Sequence, residues 1–316
     1  MKHNFIKLII LALLAVGIYF GAGTLSYAQT LKFAHISDVH LSDKKVDTSY
    51  KLLSHTKELF KDEIDQINEE PDIDFVIVTG DLIDKPKKEL LNDACSQMNK
   101  LKAPWYFAFG NHDAAVGSDF KKDKYFEFLK KKNKSIKSDT FYYSFVPKKG
   151  FVAIVLDGSI DTRITANGEI PKEQLQWLDK QLEKARDNGQ IPLIFLHFPL
   201  QEPFPSFHHR IINAQEFRSV LSKYDMPAAI FSGHYHAAKI TKEGKLLHVS
   251  TPSLASYPNA FRIVTVKNYK DKVEFKIDFK ETRLKDLQKK AKILTFSSNT
   301  LKGEESDQST IVVIEK

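Results

Sequence analysis

Six short apolar runs, rich in valine, isoleucine and phenylalanine, recur along the first three quarters of the chain. They occupy residues 31–37, 75–79, 105–109, 151–156, 191–196 and 228–232. Uninterrupted apolar runs of this length are typical of strands that are buried on both faces of a sheet. The pattern therefore predicts six buried strands.

Amphipathic stretches separate several of these runs. Residues 50–67 have a helical pattern, and leucines recur at helical spacing after Pro171, a residue type that suits the first turn of a helix. A further helix is predicted over residues 217–224, where Asn213 and Glu216 have the spacing of a capping box. Strands that alternate with helices in this way predict an α/β domain.

From residue 238 the pattern changes to paired strands. Residues 239–241 and 246–250 flank a polar turn, which predicts a hairpin. Residues 261–266 and 272–279 predict two more strands. This part of the chain is therefore expected to add mixed or antiparallel pairing.

The organisation that follows from these patterns is one catalytic domain at residues 29–280 and a C-terminal extension at residues 281–316. The extension contains a candidate basic helix, a polar linker at residues 303–309 and a final strand at residues 311–314. Its pattern gives no position relative to the domain.

The first 28 residues resemble a secretory signal peptide. Two lysines precede an apolar run at residues 8–20, and Ser26 and Ala28 lie at the two positions that signal peptidases read. The run is short for a membrane-spanning helix, which needs about 20 residues. We therefore expect an exported protein, periplasmic or secreted. An uncleaved N-terminal anchor, with the domain outside the cytoplasm, is the alternative.

The charge balance is basic, with 47 lysines and arginines, 40 acidic residues and a formal net charge of +7. Lysines cluster at residues 121–134 and 285–292, but acids are mixed among them and no recognised nucleic-acid module is present. Specific nucleic-acid binding is not expected, whereas attraction to an anionic membrane surface stays open. The single cysteine, Cys95, excludes an intramolecular disulfide, a cysteine-rich zinc module and an iron–sulfur cluster.

The candidate chemistry lies at the ends of the predicted strands. Five strand ends carry carboxylate, imidazole or carboxamide groups: Asp38 and His40; Asp81 and Asp84; Asn111, His112 and Asp113; His197; and His234 and His236. Ligands of open α/β sheets bind beyond the carboxyl ends of the strands, and borderline divalent metals accept oxygen and imidazole ligands. These groups are more numerous than one ion needs, which favours two ions about 3.5–4 Å apart.

The order of these motifs resembles the calcineurin-like metallophosphoesterase superfamily, and its bacterial phosphodiesterase branch in particular. The motifs are Asp-x-His, Gly-Asp-x-x-Asp, Gly-Asn-His-Asp, a single histidine and Gly-His-x-His, and they span residues 38–236. The resemblance implies an α/β fold, a two-sheet αββα sandwich with a dinuclear metal site of Mn, Fe or Zn at the carboxyl ends of the strands.

The resemblance also implies a role for each motif residue. One metal ion would be held by Asp38, His40 and His236, and the other by Asn111, His197 and His234, with Asp81 bridging the two. His112 would contact the phosphoryl group and protonate the leaving oxygen, and Asp113 would orient His112.

The implied activity is hydrolysis of a phosphodiester by a hydroxide that two metal ions activate. A phosphomonoesterase or nucleotidase is the nearest alternative, and a non-catalytic phosphoryl-binding protein is a minor one. Purple acid phosphatases, which are related, have a tyrosine where this chain has Asp84. Their charge-transfer chemistry is therefore not expected here.

Two segments are candidates for binding the rest of the substrate. The loop at residues 198–212 combines aromatic residues with His208, His209 and Arg210, which could grip a base and a second phosphate, or form a solvated loop. Residues 250–259 are expected to lie near the site if the hairpin packs as it does in the related proteins.

The remaining polar residues at strand ends are expected to be structural. His35, His55 and His248 are interpreted as structural histidines, and Asp84 as a carboxylate that supports the site or caps a loop. Asp157 is left open between a turn residue and a residue that supports the site.

Overall fold

The computed structural model describes residues 28–118 and 120–316. Its strands along the chain are β1 (Gln29–Ile36), β2 (Phe75–Thr79), β3 (Trp105–Ala108), β4 (Tyr143–Phe145), β5 (Phe151–Val155), β6 (Ile191–Phe195), β7 (Ala228–Ser232), β8 (Lys239–Glu243), β9 (Leu246–Ser250), β10 (Ala260–Asn268), β11 (Lys272–Glu281) and β12 (Thr310–Glu315). Its α-helices are α1 (Thr56–Glu69), α2 (Lys88–Met98), α3 (Lys122–Lys132), α4 (Lys172–Asp187), α5 (Ala214–Leu221), α6 (Lys285–Leu294), α7 (Ser298–Lys302) and α8 (Glu305–Gln308).

The strands form two six-stranded mixed sheets. The first sheet has the order β12-β11-β10-β1-β2-β3, in which β1, β2 and β3 are parallel and β10 runs antiparallel to β1. The second has the order β4-β5-β6-β7-β9-β8, with β5, β6, β7 and β9 parallel between two antiparallel edge strands. The predicted two-sheet α/β sandwich is confirmed.

Aromatic side chains from both sheets pack against each other in the core. Phe33 and Phe75 of the first sheet stack with ring centroids 4.9 Å apart, and Phe195 and Phe231 of the second sheet stack at 5.2 Å. Phe33 meets Phe231 edge-on at 5.2 Å. Burial of these large apolar surfaces holds the two sheets together and thereby fixes the position of each strand end.

The six predicted strands and the hairpin are confirmed, but two local predictions are wrong. The first helix begins at Thr56, after a short 3₁₀ turn at Leu53–His55, and not at residue 50. Asn213 precedes α5 but does not cap it. Its side chain instead accepts a hydrogen bond from the Ile170 amide and donates one to the Ile170 carbonyl, so it joins two connections.

The C-terminal extension is part of the same fold. Strand β12 pairs with β11 at the edge of the first sheet, and the boundary expected after residue 280 falls inside β11. The segment predicted to be a polar linker contains α8. The carbonyl groups of Asp307 and Gln308 there accept hydrogen bonds from the buried guanidinium of Arg262, at 2.7 and 2.8 Å.

Within the described part of the chain, no helix combines the length and the apolar character that crossing a membrane requires. The predicted signal peptide or anchor lies outside the described residues, apart from Ala28.

Candidate metal centre

The carboxyl ends of the parallel strands bring the motif residues together. Strands β1, β2 and β3 of one sheet and β5, β6 and β7 of the other are each parallel within their sheet, so their connections leave from a shared edge. Five of the candidate ligands have a positive φ, which is rare for residues other than glycine: Asp38, His40, Asp81, His234 and His236. Backbone conformations of this kind concentrate at functional sites.

Asp38, His40 and His236 form the first group of converging side chains. The Nε2 atoms of His40 and His236 are 3.2 Å apart, and Asp38 Oδ1 lies 3.3 Å from His236 Nε2 and 3.8 Å from His40 Nε2. The other carboxylate oxygen of Asp38 accepts hydrogen bonds from the Ser37 hydroxyl at 2.6 Å and the His234 amide at 2.9 Å. Oδ1 is buried and has no hydrogen-bond partner among the described residues.

Asn111, His197 and His234 form the second group. Asn111 Oδ1 lies 3.2 Å from His197 Nε2, and His234 Nδ1 lies 3.0 Å from the same nitrogen. His197 Nδ1 donates to the Thr79 carbonyl at 2.8 Å, so Nε2 is the atom that presents a lone pair when the ring is neutral. Three acceptor atoms therefore face one point. Burial lowers the pKa of His197, but the Asp81 and Asp38 carboxylates outweigh burial and raise the pKa above its ordinary value, so a cation would have to displace the proton from Nε2.

Asp81 lies between the two groups. Its Oδ1 accepts a hydrogen bond from the His112 amide at 2.8 Å. Its Oδ2 lies 3.6 Å from His40 Nε2 in the first group and 3.5 Å from His197 Nε2 in the second. As in Asp38, one carboxylate oxygen is held by a donor while the other faces imidazole nitrogens.

Neighbouring groups hold the candidate ligands in place. Ser256 Oγ hydrogen-bonds to His236 Nδ1 at 2.9 Å, which leaves Nε2 facing Asp38. Ser253 Oγ donates to the Asp38 carbonyl at 2.7 Å. The segment at residues 250–259 therefore lies at the site, as expected, but it contacts the candidate ligands from behind.

Electrostatics favours the charge states that bind cations. Burial, with the added effect of nearby cationic groups, holds the pKa of His40 and of His234 well below the ordinary value, so both rings stay neutral. Burial alone would raise the pKa of Asp38, but His236 and His197 outweigh it and keep the pKa below the usual value. Neutral imidazoles and ionised carboxylates are the forms that coordinate metal ions.

The backbone at Gly80 lies very close to the candidate ligand His197 and to Gly110. Gly80 has a φ of +86°, and a Cβ atom there would lie 2.6 Å from His197 Nδ1 and 2.7 Å from the Gly110 amide nitrogen. A side chain at position 80 cannot fit without moving one of these groups. Converging oxygen and nitrogen donors fit a divalent cation. Among the described residues, three sets of histidine and carboxylate atoms converge closely enough to hold one: Asp38, His40 and His236; Asp38, Asp81 and His197; and His40, Asp84 and the partly exposed His112.

His112 lies beside the two groups. Its ring centroid is 4.6 Å from that of His40, and its side chain is partly exposed. Nδ1 donates to the Asp84 carbonyl oxygen at 2.8 Å, because a carbonyl can only accept. Nε2 is therefore the ring nitrogen that can accept or release a proton towards a bound ligand.

Asp113 does not orient His112 through a hydrogen bond, contrary to the sequence-based expectation. Its carboxylate accepts hydrogen bonds from the amides of Gly110, Asp81, Leu82 and Ile83 and from the Tyr125 hydroxyl. Asp113 thus fixes the backbone that carries Asp81, while the Asp84 carbonyl orients His112.

Two charged side chains lie at the edge of the centre. Asp84 Oδ1 lies 3.9 Å from both His40 Nδ1 and His112 Nδ1, and its other oxygen pairs with Lys44 at 2.9 Å. Lys51 is buried, with Nζ 3.4 Å from His40 Nδ1. The sequence pattern does not single out Lys51, because it assigns this residue to the face of a helix.

Asp157, which the sequence left open between a turn residue and a residue that supports the site, is buried in an ion pair with Lys122.

A cleft of about 590 Å³ opens over the centre. The described residues that line it include His209 but neither His208 nor Arg210, so only one of the three predicted substrate contacts reaches it. Residues 294–297 and Leu301 of the C-terminal extension form part of its wall, which the sequence did not predict. A second cleft, of about 820 Å³, adjoins the first at His112.

Of the three histidines interpreted as structural, His35 and His55 form hydrogen bonds within the described residues, whereas His248 is buried beside a carboxylate without one. His35 is wholly buried, and its two ring nitrogens hydrogen-bond to the hydroxyls of Thr79 and Thr251, so it ties the two sheets together near the site. His248 faces Glu243 at 3.3 Å and His55 pairs with Glu58.

Comparison with known proteins agrees with the geometry. A model of the family described as calcineurin-like phosphoesterase matches residues 31–238. The chain is 26% identical to a probable glycerophosphodiester phosphodiesterase of Arcobacter nitrofigilis over 69% of this chain and 76% of that protein. It is 24% identical to a 3',5'-cyclic-nucleotide phosphodiesterase of a Nostoc species, over 71% and 78%. A dimetal phosphatase from Danio rerio has a similar fold, with a TM-score of 0.65, 17% identity and coverage of 79% and 96%.

Proposed function

Since the chain belongs to the calcineurin-like phosphoesterase family, we propose that it hydrolyses phosphodiesters at a dinuclear metal centre. In this proposal Asp38, His40 and His236 would hold one ion, Asn111, His197 and His234 would hold the other, and Asp81 would be shared between the two groups. Divalent cations in such a site supply Lewis-acid catalysis and neutralise phosphoryl charge.

The position of Asp81 is the observation that carries the proposal. Its Oδ2 faces an imidazole nitrogen of each group at nearly equal distances, 3.6 and 3.5 Å, while Oδ1 is held by the His112 amide. One carboxylate oxygen is thus available to both groups. An arrangement for a single ion would not need a buried carboxylate at this point.

His112 moves a proton in the proposed reaction. Hydrolysis adds water across a P–O bond and gives a phosphomonoester and an alcohol, so the leaving oxygen must gain a proton. With Nδ1 fixed on the Asp84 carbonyl, Nε2–H of the protonated ring is the donor. General acid catalysis of this kind contributes about 10²–10⁴-fold.

The two clefts that share His112 in their walls favour a diester over a monoester. A diester has two organic substituents, and clefts of about 590 and 820 Å³ provide space for both. A phosphomonoester would leave one of them without a substituent. Two relatives in the comparisons are described as phosphodiesterases, which supports the same choice.

The ligand chemistry narrows the metal to a few candidates. The proposed donors are carboxylate, carboxamide and imidazole groups without a thiolate, which suits Mn, Fe or Zn.

We further propose that the protein acts outside the cytoplasm, on the basis of the signal-like N-terminal sequence.

Metal analysis combined with a substrate panel tests the proposal. Purified protein should contain about two ions per chain. It should cleave bis(p-nitrophenyl) phosphate faster than p-nitrophenyl phosphate when Mn, Zn, Fe or Co is supplied. Asp81→Asn and His234→Ala should lose metal and turnover together, whereas Asp93→Asn, at an exposed ion pair with Lys57, should change neither.

Each part of the proposal can fail separately. Full activity of the Asp81 or His234 variant would contradict the assigned centre. A preference for p-nitrophenyl phosphate would identify a phosphomonoesterase, and metal binding without turnover of either ester would identify a non-catalytic phosphoryl-binding protein.

A further inference from the structure

Large apolar side chains are exposed on the segments that form the cleft over the metal centre. Five of them lie on segments from which other residues line this cleft: Val46, Ile164 and Phe207 in loops, Ile293 in the last turn of α6, and Phe296, which itself lines the cleft. Ile164 is 91% exposed and Phe296 is exposed completely. We name these five residues the apolar rim. Exposed apolar groups that surround one opening mark an interaction surface more often than scattered single residues do.

Topology places the apolar rim on one face. Val46, Ile164 and Phe207 lie in the connections that follow the carboxyl ends of β1, β5 and β6, which is the edge that carries the metal centre. Ile293 and Phe296 flank Leu294 and Thr295, which line the cleft. Val146, which is also exposed, precedes the amino end of β5 and therefore lies at the opposite edge.

Cationic side chains accompany the rim. Helix α6, which contains Ile293 in its last turn, carries four lysines and one acid. Lys289 and Lys292 are exposed and form no ion pair with a carboxylate among the described residues. Arg210 lies over the ring of Phe207, 5.5 Å from its centroid. Arg163, which precedes Ile164, is paired with Glu169 at 3.8 Å, so Lys289, Lys292 and Arg210 are the cations that count here. Apolar side chains flanked by unpaired cations match the interface of an anionic bilayer.

We propose that this face docks onto anionic lipid bilayers and presents the cleft to phosphodiesters held in them. The docking is independent of the activity, whereas the substrate class rests on the hydrolytic function proposed above. A single small ligand does not explain the apolar rim, because the five side chains are distributed over four separate segments of the chain. A lipid surface contacts all of them at once.

Tryptophan fluorescence tests the docking residue by residue. Phe296→Trp should show a blue-shifted emission with phosphatidylglycerol vesicles, and brominated acyl chains should quench it. Val146→Trp at the opposite edge should not respond. Both variants carry the same N-terminal segment, so a difference in quenching between them is due to the apolar rim and not to that segment. Equal quenching of both, or of neither, would overturn the proposal.

Charge reversal provides a second, independent measurement. Lys289→Glu with Lys292→Glu should weaken vesicle binding about tenfold or more, since each basic residue near an anionic surface contributes to binding. The matched pair Lys180→Glu with Lys184→Glu, on exposed positions of α4, should have little effect. Equal weakening by the two pairs, or undiminished binding to phosphatidylcholine, would overturn the choice of an anionic lipid surface.

Turnover separates this proposal from the proposed function. The Lys289/Lys292 variant should hydrolyse bis(p-nitrophenyl) phosphate like the wild type but phosphatidylglycerol in vesicles more slowly. If neither the wild type nor the variant hydrolyses the soluble diester, the proposed function is wrong. The fluorescence measurement still tests the docking in that case. If the wild-type protein binds the vesicles and cleaves the soluble diester but cleaves no lipid in the vesicles, the proposal that its substrates are phosphodiesters held in bilayers is wrong. Quenching of the Phe296→Trp variant by soluble nucleotides but not by brominated lipid would overturn the docking and identify a base-stacking site instead.

Discussion

A methyl group at position 80 should damage the metal centre selectively. In Gly80→Ala the new Cβ lies 2.6 Å from His197 Nδ1 and 2.7 Å from the Gly110 amide nitrogen. A Cβ atom in a folded protein approaches no other heavy atom closer than about 3.0 Å, so His197 must move by at least 0.4 Å, the difference between 3.0 and 2.6 Å.

The displacement acts on the side chain that meets both Asp81 and Asn111. Moving His197 strains its 2.8 Å hydrogen bond to the Thr79 carbonyl and changes the position of Nε2 relative to Asn111 and Asp81. Misplacement of a catalytic group by about 1 Å can cost about 10²-fold in rate, so a loss of about tenfold or more in kcat/KM is expected. One ion per chain should also be lost.

The matched control is Gly189→Ala. Gly189 also has a positive φ, +60°, but a Cβ there meets nothing within 4 Å. Both variants carry a backbone cost of roughly 1–2 kcal/mol, which chemical denaturation measures. Only Gly80→Ala should lose metal, by elemental analysis, and kcat/KM on bis(p-nitrophenyl) phosphate. Unchanged metal content and kcat/KM in Gly80→Ala would refute the reasoning.

Three further outcomes are expected. Ser256→Ala removes the hydrogen bond to His236 Nδ1 and should weaken metal affinity about 10–100-fold in a chelator competition; unaltered affinity would count against the support role. His112→Ala should lower kcat about 10²–10⁴-fold with metal content retained, and loss of metal as well would show that the residue holds the centre together. Glu63 is wholly buried, and burial raises the pKa of its carboxyl well above the ordinary 4.5, so the folded protein loses stability as the pH rises through that raised pKa. Glu63→Gln should therefore gain stability over the wild type with rising pH in urea unfolding, and a difference that does not change with pH would contradict this.

The sequence determined much of the fold because its strands are locally encoded. Runs of apolar residues such as 75–79 and 228–232 form strands with those same bounds. Strand ends place polar groups together whenever neighbouring strands are parallel, so the closeness of Asp38 and Asp81, which follow β1 and β2, could be expected from their order. His197 follows β6 of the other sheet, so only the packing of the two sheets brings it to them.

Where local pattern competed with long-range contacts, the long-range contacts decided. Asn213 had the spacing of a helix cap, yet its side chain bonds to Ile170 in another connection. Asp113 follows His112 directly, yet the amides around Asp81 and the hydroxyl of Tyr125 hold its carboxylate. A side chain with several partners near it in space follows the strongest donors, and sequence adjacency does not reveal them.

The tertiary structure alone decided what surrounds the centre. Ser256 supports His236, Lys51 approaches His40, and residues 294–297 of the C-terminal extension line the cleft. These residues come from distant parts of the chain, and the packing of one sheet on the other and the pairing of β12 with β11 set their positions. The sequence by itself therefore determined the strands and the order of the candidate ligands. Only the tertiary structure decided which side chains support those ligands, the shape of the cleft and the exposed rim, because these depend on register and packing between segments that share no local pattern.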